Sequence, residues 1–257
     1  MSLAAQIGHI AQRSVVRTLR QPANTVFPIV FPMALLAVTS AGLSAATEIP
    51  GFPTDSFLAF FLAFPFIQGA LFATMNAGTD LARDVQTGFL NRLALTPMRG
   101  AALIAGQLGG IALMGLVQAI FYLSIGLAFG VRLESGVPGA VVLLSLATLI
   151  AIAFGALGAF FALRTGSSES VQGLFPLLFV LLFLSSMNLP RELIETDWFR
   201  TVATLNPVSY LIEGVRSLII TGWDVQALAL AFGIGSAIAV LAIAAAAWAL
   251  GLRMTRT

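Results

Sequence analysis

Six apolar runs, each long enough to cross a bilayer as a helix, leave this chain few ways to fold. They cover Val26 to Ala46, Phe57 to Gly78, Ala101 to Gly130, Pro138 to Leu163, Val171 to Leu189 and Val225 to Leu252. A hydrocarbon core of about 30 Å needs roughly 20 apolar residues in a helix. Of 257 residues, 58% are hydrophobic and 9% charged, whereas a soluble domain carries roughly 25% charged residues. No water-soluble core could hide that much apolar surface. The expected fold is an all-α polytopic membrane protein with six transmembrane helices, one transmembrane domain over residues 1–257.

Missing residue types narrow the chemistry. There is no Cys, which excludes disulfides, thiolate metal sites and a Cys nucleophile. All thirteen basic residues are Arg. A Walker A loop needs its Lys on the nucleotide phosphates, so the chain cannot form a standard ATPase site by itself. The sole His, His9, cannot make a His-cluster metal site. Nothing in the charge pattern points to nucleic acid. Met1 to Arg20 lacks the short apolar core and cleavage site of a secretory signal.

Arginine placement sets the expected orientation. The N-terminus, the second-to-third and fourth-to-fifth loops and the C-terminus carry Arg13, Arg17, Arg20, Arg83, Arg92, Arg99, Arg164, Arg253 and Arg256. The opposite flanks carry only Arg132, Arg191, Arg200 and Arg216. Both termini are therefore expected in the cytoplasm. Along residues 1–20, Gln6, His9, Arg13, Arg17 and Arg20 share one helical arc, opposite Leu3, Ile7, Ile10, Val15 and Leu19. That predicts an amphipathic interfacial helix with arginines on anionic headgroups.

The segment 80–99 breaks the apolar pattern on the same side. Leu81, Val85, Phe89 and Leu93 fall at i, i+4, i+8 and i+12, one stripe of a helix. Thr96-Pro97 ends the pattern, since a residue before Pro avoids the helical region. The stripe reads either as a connector packed on neighbouring spans or as a helix set, with Gly88, against a soluble partner.

The run Gly88-Phe-Leu-Asn-Arg92-Leu93-Ala-Leu-Thr96-Pro97-Met-Arg99, with Gly106-Gln107 opening the next span, resembles the coupling segment of ABC-2 type transporter permeases. Asn206-Pro207-Val208-Ser209-Tyr210, then Glu213 and Arg216, is similar to the pattern before that family's last span. Leu93-x-x-Thr96-Pro97-x-Arg99 looks most like the daunorubicin-resistance multidrug subgroup, with polysaccharide or lipid-linked glycan exporters as the near neighbour. The resemblance implies a dimer of six-helix subunits, a homodimer or a homologous heterodimer. It implies two copies of a separate cytoplasmic ATP-binding-cassette subunit, with ATP and Mg on that partner. It implies outward movement of a hydrophobic or amphipathic substrate across a bacterial cytoplasmic membrane. The coupling residues would be Leu81, Val85, Gly88, Phe89, Arg92, Leu93, Thr96, Pro97 and Arg99.

Between the fifth and sixth runs, residues 190–222 are too polar to span and too patterned for a loose loop. Arg191 to Leu205 reads as one short helix. Asn206 suits an N-cap and Pro207 the first helical position, and Gly222 suits the closing cap. Glu213 and Arg216, three apart, are expected to pair. Two outer re-entrant helices follow, serving either as a gate built on Asn206, Pro207, Tyr210, Glu213 and Arg216 or as a seal. Two aromatic stripes are candidate pathway residues: Phe57, Phe61, Phe64, Gln68, Phe72 and Asn76 on the second span, and Gln172, Phe175, Phe179, Phe183 and Ser186 on the fifth. Packing against lipid or a neighbour explains such stripes equally. Gly106, Gly110, Gly126, Gly130, Gly155 and Gly158 read as helix contacts. No mid-span ionisable group suggests an ion-coupled carrier, and no acid cluster suggests a lipid-directed enzyme.

Overall fold

The computed structural model describes residues 2–94 and 100–254. The described residues contain no β-strand. The helices are α1 (Leu3–Leu19), α2 (Pro22–Gly42), α3 (Phe57–Phe61), α4 (Ala63–Gln86), α5 (Phe89–Ala94), α6 (Gly100–Ala128), α7 (Gly136–Thr165), α8 (Ser168–Gln172), α9 (Leu174–Phe183), α10 (Asp197–Leu205), α11 (Pro207–Arg216) and α12 (Val225–Met254).

Among the described residues, five helical stretches are long and apolar enough to cross a bilayer: Thr25–Gly42, Phe57–Gln86, Gly100–Ala128, Gly136–Thr165 and Val225–Arg253. The run from Val171 to Leu189 departs from expectation. It forms α8 and α9, parted at Gly173 and ended after Phe183. Pro176 cannot donate to the carbonyl of Gln172, which weakens the junction. Asn206 then donates to the carbonyls of Leu181 at 2.6 Å and Leu184 at 3.0 Å, closing the helix end. Ser168–Phe183 is a shorter apolar helical stretch, about 24 Å long at 1.5 Å per residue and below the bilayer's span.

The α3–α4 stretch is the hub. In its most apolar 18-residue window 89% of residues are buried, against 17% in that of α2 and 22% in that of α12. It crosses α7 at its closest point through Gly158, where an added Cβ would lie 2.1 Å from the Thr74 carbonyl oxygen. Thr74 Oγ1 uses that proximity, donating to the Phe154 carbonyl at 2.9 Å. Gly126 packs on Leu62 and Gly155 on Ile111. Gly130 is no helix contact. It lies just beyond α6 at φ +90°, with nothing near its Cβ position.

Proline shapes α2. Pro32 has no N–H, so the Pro28 carbonyl loses its helical donor. The Tyr122 hydroxyl of α6 donates to that carbonyl at 2.5 Å, from a side chain almost wholly buried. In a medium without water such an orphan acceptor has to be met by protein. The outward faces of α2 and α12 carry Phe27, Val30, Val38, Val240 and Leu241 exposed. Such faces suit lipid. The chain is a multi-pass membrane protein.

Candidate functional site

At the end of the bundle that carries α1, the segment 80–94 is not one helix. α4 ends at Gln86 and Gly88 turns the chain at φ +66°, a conformation that favours glycine. α5 then leaves in a new direction. The stripe is therefore divided. Leu81 is 2% exposed, packed with Leu103, Leu163 and Val171, and so is core rather than docking surface. Val85 is half-buried beside Gly166. Phe89 lies under the Arg13 guanidinium, 4.1 Å from ring centroid to Cζ. Arg92 is exposed and donates to the Thr87 carbonyl at 3.4 Å. Thr96, Pro97, Arg99 and the Leu93 side chain lie outside the described residues.

The arginines of α1 find protein partners. Arg13 makes a two-pronged contact with Asp84, at 3.0 and 2.9 Å. Arg17 reaches Asp84 at 3.0 Å and Asp80 at 3.0 Å. Such charge-assisted, bidentate bonds are stronger than neutral ones. The Asp84 side chain is only 12% exposed, so little water competes for it. This corrects the expectation that Arg13 and Arg17 sit on lipid headgroups. The adjoining face of α1 also docks: Gly106 and Gly110 of α6 lie so close to Ile10 and Ser14 that a Cβ would come within 2.6 and 2.7 Å. The small-residue pair Gly106 and Gly110 serves α1 rather than another span. Arg13 and Arg17 are four apart, as are Asp80 and Asp84. Two matched i, i+4 charge pairs were the available signal for this junction.

The two aromatic stripes meet. Phe57, Phe61 and Phe64 stack at centroid distances of 5.8 and 4.8 Å. Phe72 stacks on Phe175 at 5.5 Å, and the ladder continues through Phe179 at 5.5 Å to Phe183 at 4.9 Å. Gln68, between them on α4, is fully buried with neither amide atom hydrogen-bonded among the described residues. Ser186 Oγ is likewise buried and unpaired. Asn76 is half-buried, lining a crevice near the α1 end, and Gln172 is exposed at the end of α8. The ladder is closed by packing in this conformation, with Phe183 itself exposed.

At the opposite end, Asn206 caps α11 by accepting from the Val208 N–H at 2.9 Å, with Pro207 next, as expected. Arg191 to Leu205 is not one helix: a 3₁₀ turn over Arg191–Leu193 precedes α10. α11 widens into a π-helical turn, Ser217–Thr221, closed by Gly222 at φ +91°. Widening changes which carbonyls are bonded within the helix. The Leu218 carbonyl accepts from Ser135 Oγ at 2.6 Å, and the Ile219 carbonyl from the Glu134 N–H at 3.1 Å.

Glu213 and Arg216 do not pair. Glu213 binds Arg191 at 2.6 Å, and that guanidinium covers the Tyr210 ring at 4.5 Å. The Tyr210 hydroxyl donates to the Thr204 carbonyl at 2.9 Å. Arg216 turns inward and is 6% exposed. It donates to the carbonyls of Phe60 at 3.2 Å, Ser186 at 3.0 Å and Met187 at 3.0 Å, and sits 3.6 Å over the Phe60 ring. One guanidinium thus joins the start of the hub helix, the end of the aromatic ladder and α11.

Comparison with known proteins finds that a family model described as ABC-2 type transporter matches residues 5–220. A daunorubicin resistance ABC transporter permease protein of Streptomyces coeruleorubidus is 30% identical over 67% of this chain. The chain spans 62% of the length of that relative. A putative transport permease of Porphyra purpurea is 27% identical over 85% of this chain and 76% of its own length. A probable doxorubicin resistance ABC transporter permease protein of Mycobacterium tuberculosis is 23% identical over 82% and 75%.

Proposed function

Because the chain belongs to the ABC-2 type transporter family, we propose that it is the membrane subunit of an ATP-driven exporter. Two permease subunits would pair with two copies of a cytoplasmic ATP-binding subunit, which binds ATP and Mg. With nine arginines on the flanks that include α1 and both termini, that end faces the cytoplasm of a bacterial cell. The apolar run through α8 and α9, continued past Phe183 by residues 184–189, makes the sixth crossing that two termini on one side require.

The observation that carries this reading is the junction of α1, α4 and α5. α5 projects beyond the glycine turn at Gly88, and the hub helix behind it is clamped by Arg13 and Arg17 on Asp84. A push on α5 from a partner reaches α4 through Phe89 and Arg13, whose guanidinium is held on Asp84. The far half of α4 carries the aromatic ladder, whose apolar rings with one buried amide suit a hydrophobic or amphipathic substrate. Opening that ladder requires separating Phe72 from Phe175.

The test is assembly and transport. The chain is co-expressed with a candidate ATP-binding partner and reconstituted in vesicles. Phe89→Asp is expected to insert normally but to lose partner binding or ATP-dependent export of a hydrophobic fluorescent drug. Unimpaired assembly and export in that variant would make α5 a mere connector.

A further inference from the structure

A crevice opens between α1, α4 and α6 that none of the features above explains. It is lined by Ser14 and Thr18 of α1, Asn76 and Asp80 of α4, and Gln107 and Gln118 of α6, with Ala73, Ile111 and Met114 between them. It is narrow, with about 40 Å³ open to the centres of water-sized molecules. From Gln107 to Gln118 it runs about 16 Å along α6 at 1.5 Å per residue. That is room for one extended chain, reaching from the charged junction toward the middle of the bundle.

The lining is unusual for this depth. Asp80 stands at the α1 end with Arg17 on one of its oxygens, so the local charge is balanced. Gln107 spends its amide nitrogen on the Ala77 carbonyl at 3.0 Å. Gln118 is 8% exposed, makes no hydrogen bond among the described residues and borders the crevice. Its amide opens onto the crevice, where a partner offsets the cost of holding an amide in an apolar surrounding. A second small cavity, bounded by Phe66, Gly69 and Tyr122, shares Gly115 and Gln118 with the crevice, so the amide borders open space on two sides.

We propose that this crevice binds a slender amphiphile whose head donates hydrogen bonds, an amine or a hydroxyl. The head lies among Asp80, Ser14 and Gln107, and the chain lies along Ala73, Ile111 and Met114 toward Gln118. Carboxylate, amide and hydroxyl oxygens supply acceptors there, and a carboxylate head brings no hydrogen to meet them. The site is separate from the aromatic ladder and goes beyond the export reading. It requires only that α4 and α6 lie in the membrane.

The chain carries no cysteine, so single cysteines report cleanly. In lipid nanodiscs, Gln118→Cys is expected to react with a charged, membrane-impermeant methanethiosulfonate about tenfold faster than Val117→Cys, whose neighbours are lipid. Dodecylamine slows that reaction about fivefold once the crevice is occupied, and dodecanoate does not. On the unmodified chain, a photoactivatable dodecylamine crosslinks within residues 73–80 and 107–118 and is displaced by dodecylamine. Equal labelling of the two cysteines, equal protection by both amphiphiles, or crosslinks spread over α2 and α12 would each overturn the proposal. None of those results bears on whether a partner ATPase drives export.

Discussion

Arg216→Met should destabilise this protein more than any substitution in the visible salt bridges. Methionine keeps much of the side-chain volume and removes every donor. The carbonyls of Phe60, Ser186 and Met187 then lose their guanidinium partner, and each buried orphan costs about 1–3 kcal/mol. Removing a buried guanidinium returns part of that, because its own desolvation costs several kcal/mol. The net loss is about 3 kcal/mol, equivalent to a fall of about 6–12 °C in melting temperature for a chain of this size. Arg216→Lys should recover only part of it, since one ammonium cannot reproduce the planar fork that serves three acceptors. Glu213→Gln provides the internal contrast. Its partner Arg191 is partly solvated, with side chains 20% and 23% exposed, and the loss is expected below about 1 kcal/mol. Thermal unfolding of purified protein in one detergent, followed by monodispersity on gel filtration, measures all three. An Arg216→Met melting point within about 2 °C of wild type would refute the reasoning. So would equal losses for Glu213→Gln and Arg216→Met, which would make them a pair after all.

Tyr122→Phe should cost about 1 kcal/mol by orphaning the Pro28 carbonyl. In a Pro32→Ala background, which restores an N–H to that carbonyl, the same change should cost less, and a double-mutant cycle on melting temperature reads the difference. Gly158→Ala should drive α4 and α7 apart, because the new Cβ meets a backbone oxygen at 2.1 Å with no side chain to yield. The expected cost is about 1–3 kcal/mol or more, measured as lost melting temperature, whereas Gly233→Ala, in open space on α12, should be neutral. Asp84→Asn removes the negative charge shared by Arg13 and Arg17 and leaves one acceptor oxygen of two. It should loosen α1, read as new protease cleavage after Arg13 or Arg17 and as reduced partner-stimulated export.

Particular residues show how far a one-dimensional reading reaches. The spacing of the apolar runs, the Asn206-Pro207 cap and the closing glycine at Gly222 all follow from local rules. A cap or a helix period involves residues within one or two turns, so the chain needs no other element to express them. Gly88 was legible as a motif but not as a break. The stripe through Leu81 and Phe89 has good helical period, and only the positive φ at Gly88 divides it.

Partner choice was not legible, because it depends on which elements meet. Arg13 and Arg17 read as lipid-facing until α4 supplies Asp80 and Asp84 some 60–70 residues away. Glu213 and Arg216 are suitably spaced to pair. The tertiary fold separates them by giving each a better partner: Arg191 for the acid, three converging carbonyls for the guanidinium. The run from Val171 to Leu189 has the composition of a span, yet Pro176 weakens its helix at Gly173 and Asn206 closes it after Phe183. Composition and period decided that this chain is a bundle of apolar helices. The packed bundle decided which charges are buried, where the hub helix turns, and that Gln68 and Gln118 stand inside without partners. The reason is physical: hydrophobic period acts along a single helix, whereas desolvating a charge or an amide has a cost set by whatever the other helices place beside it.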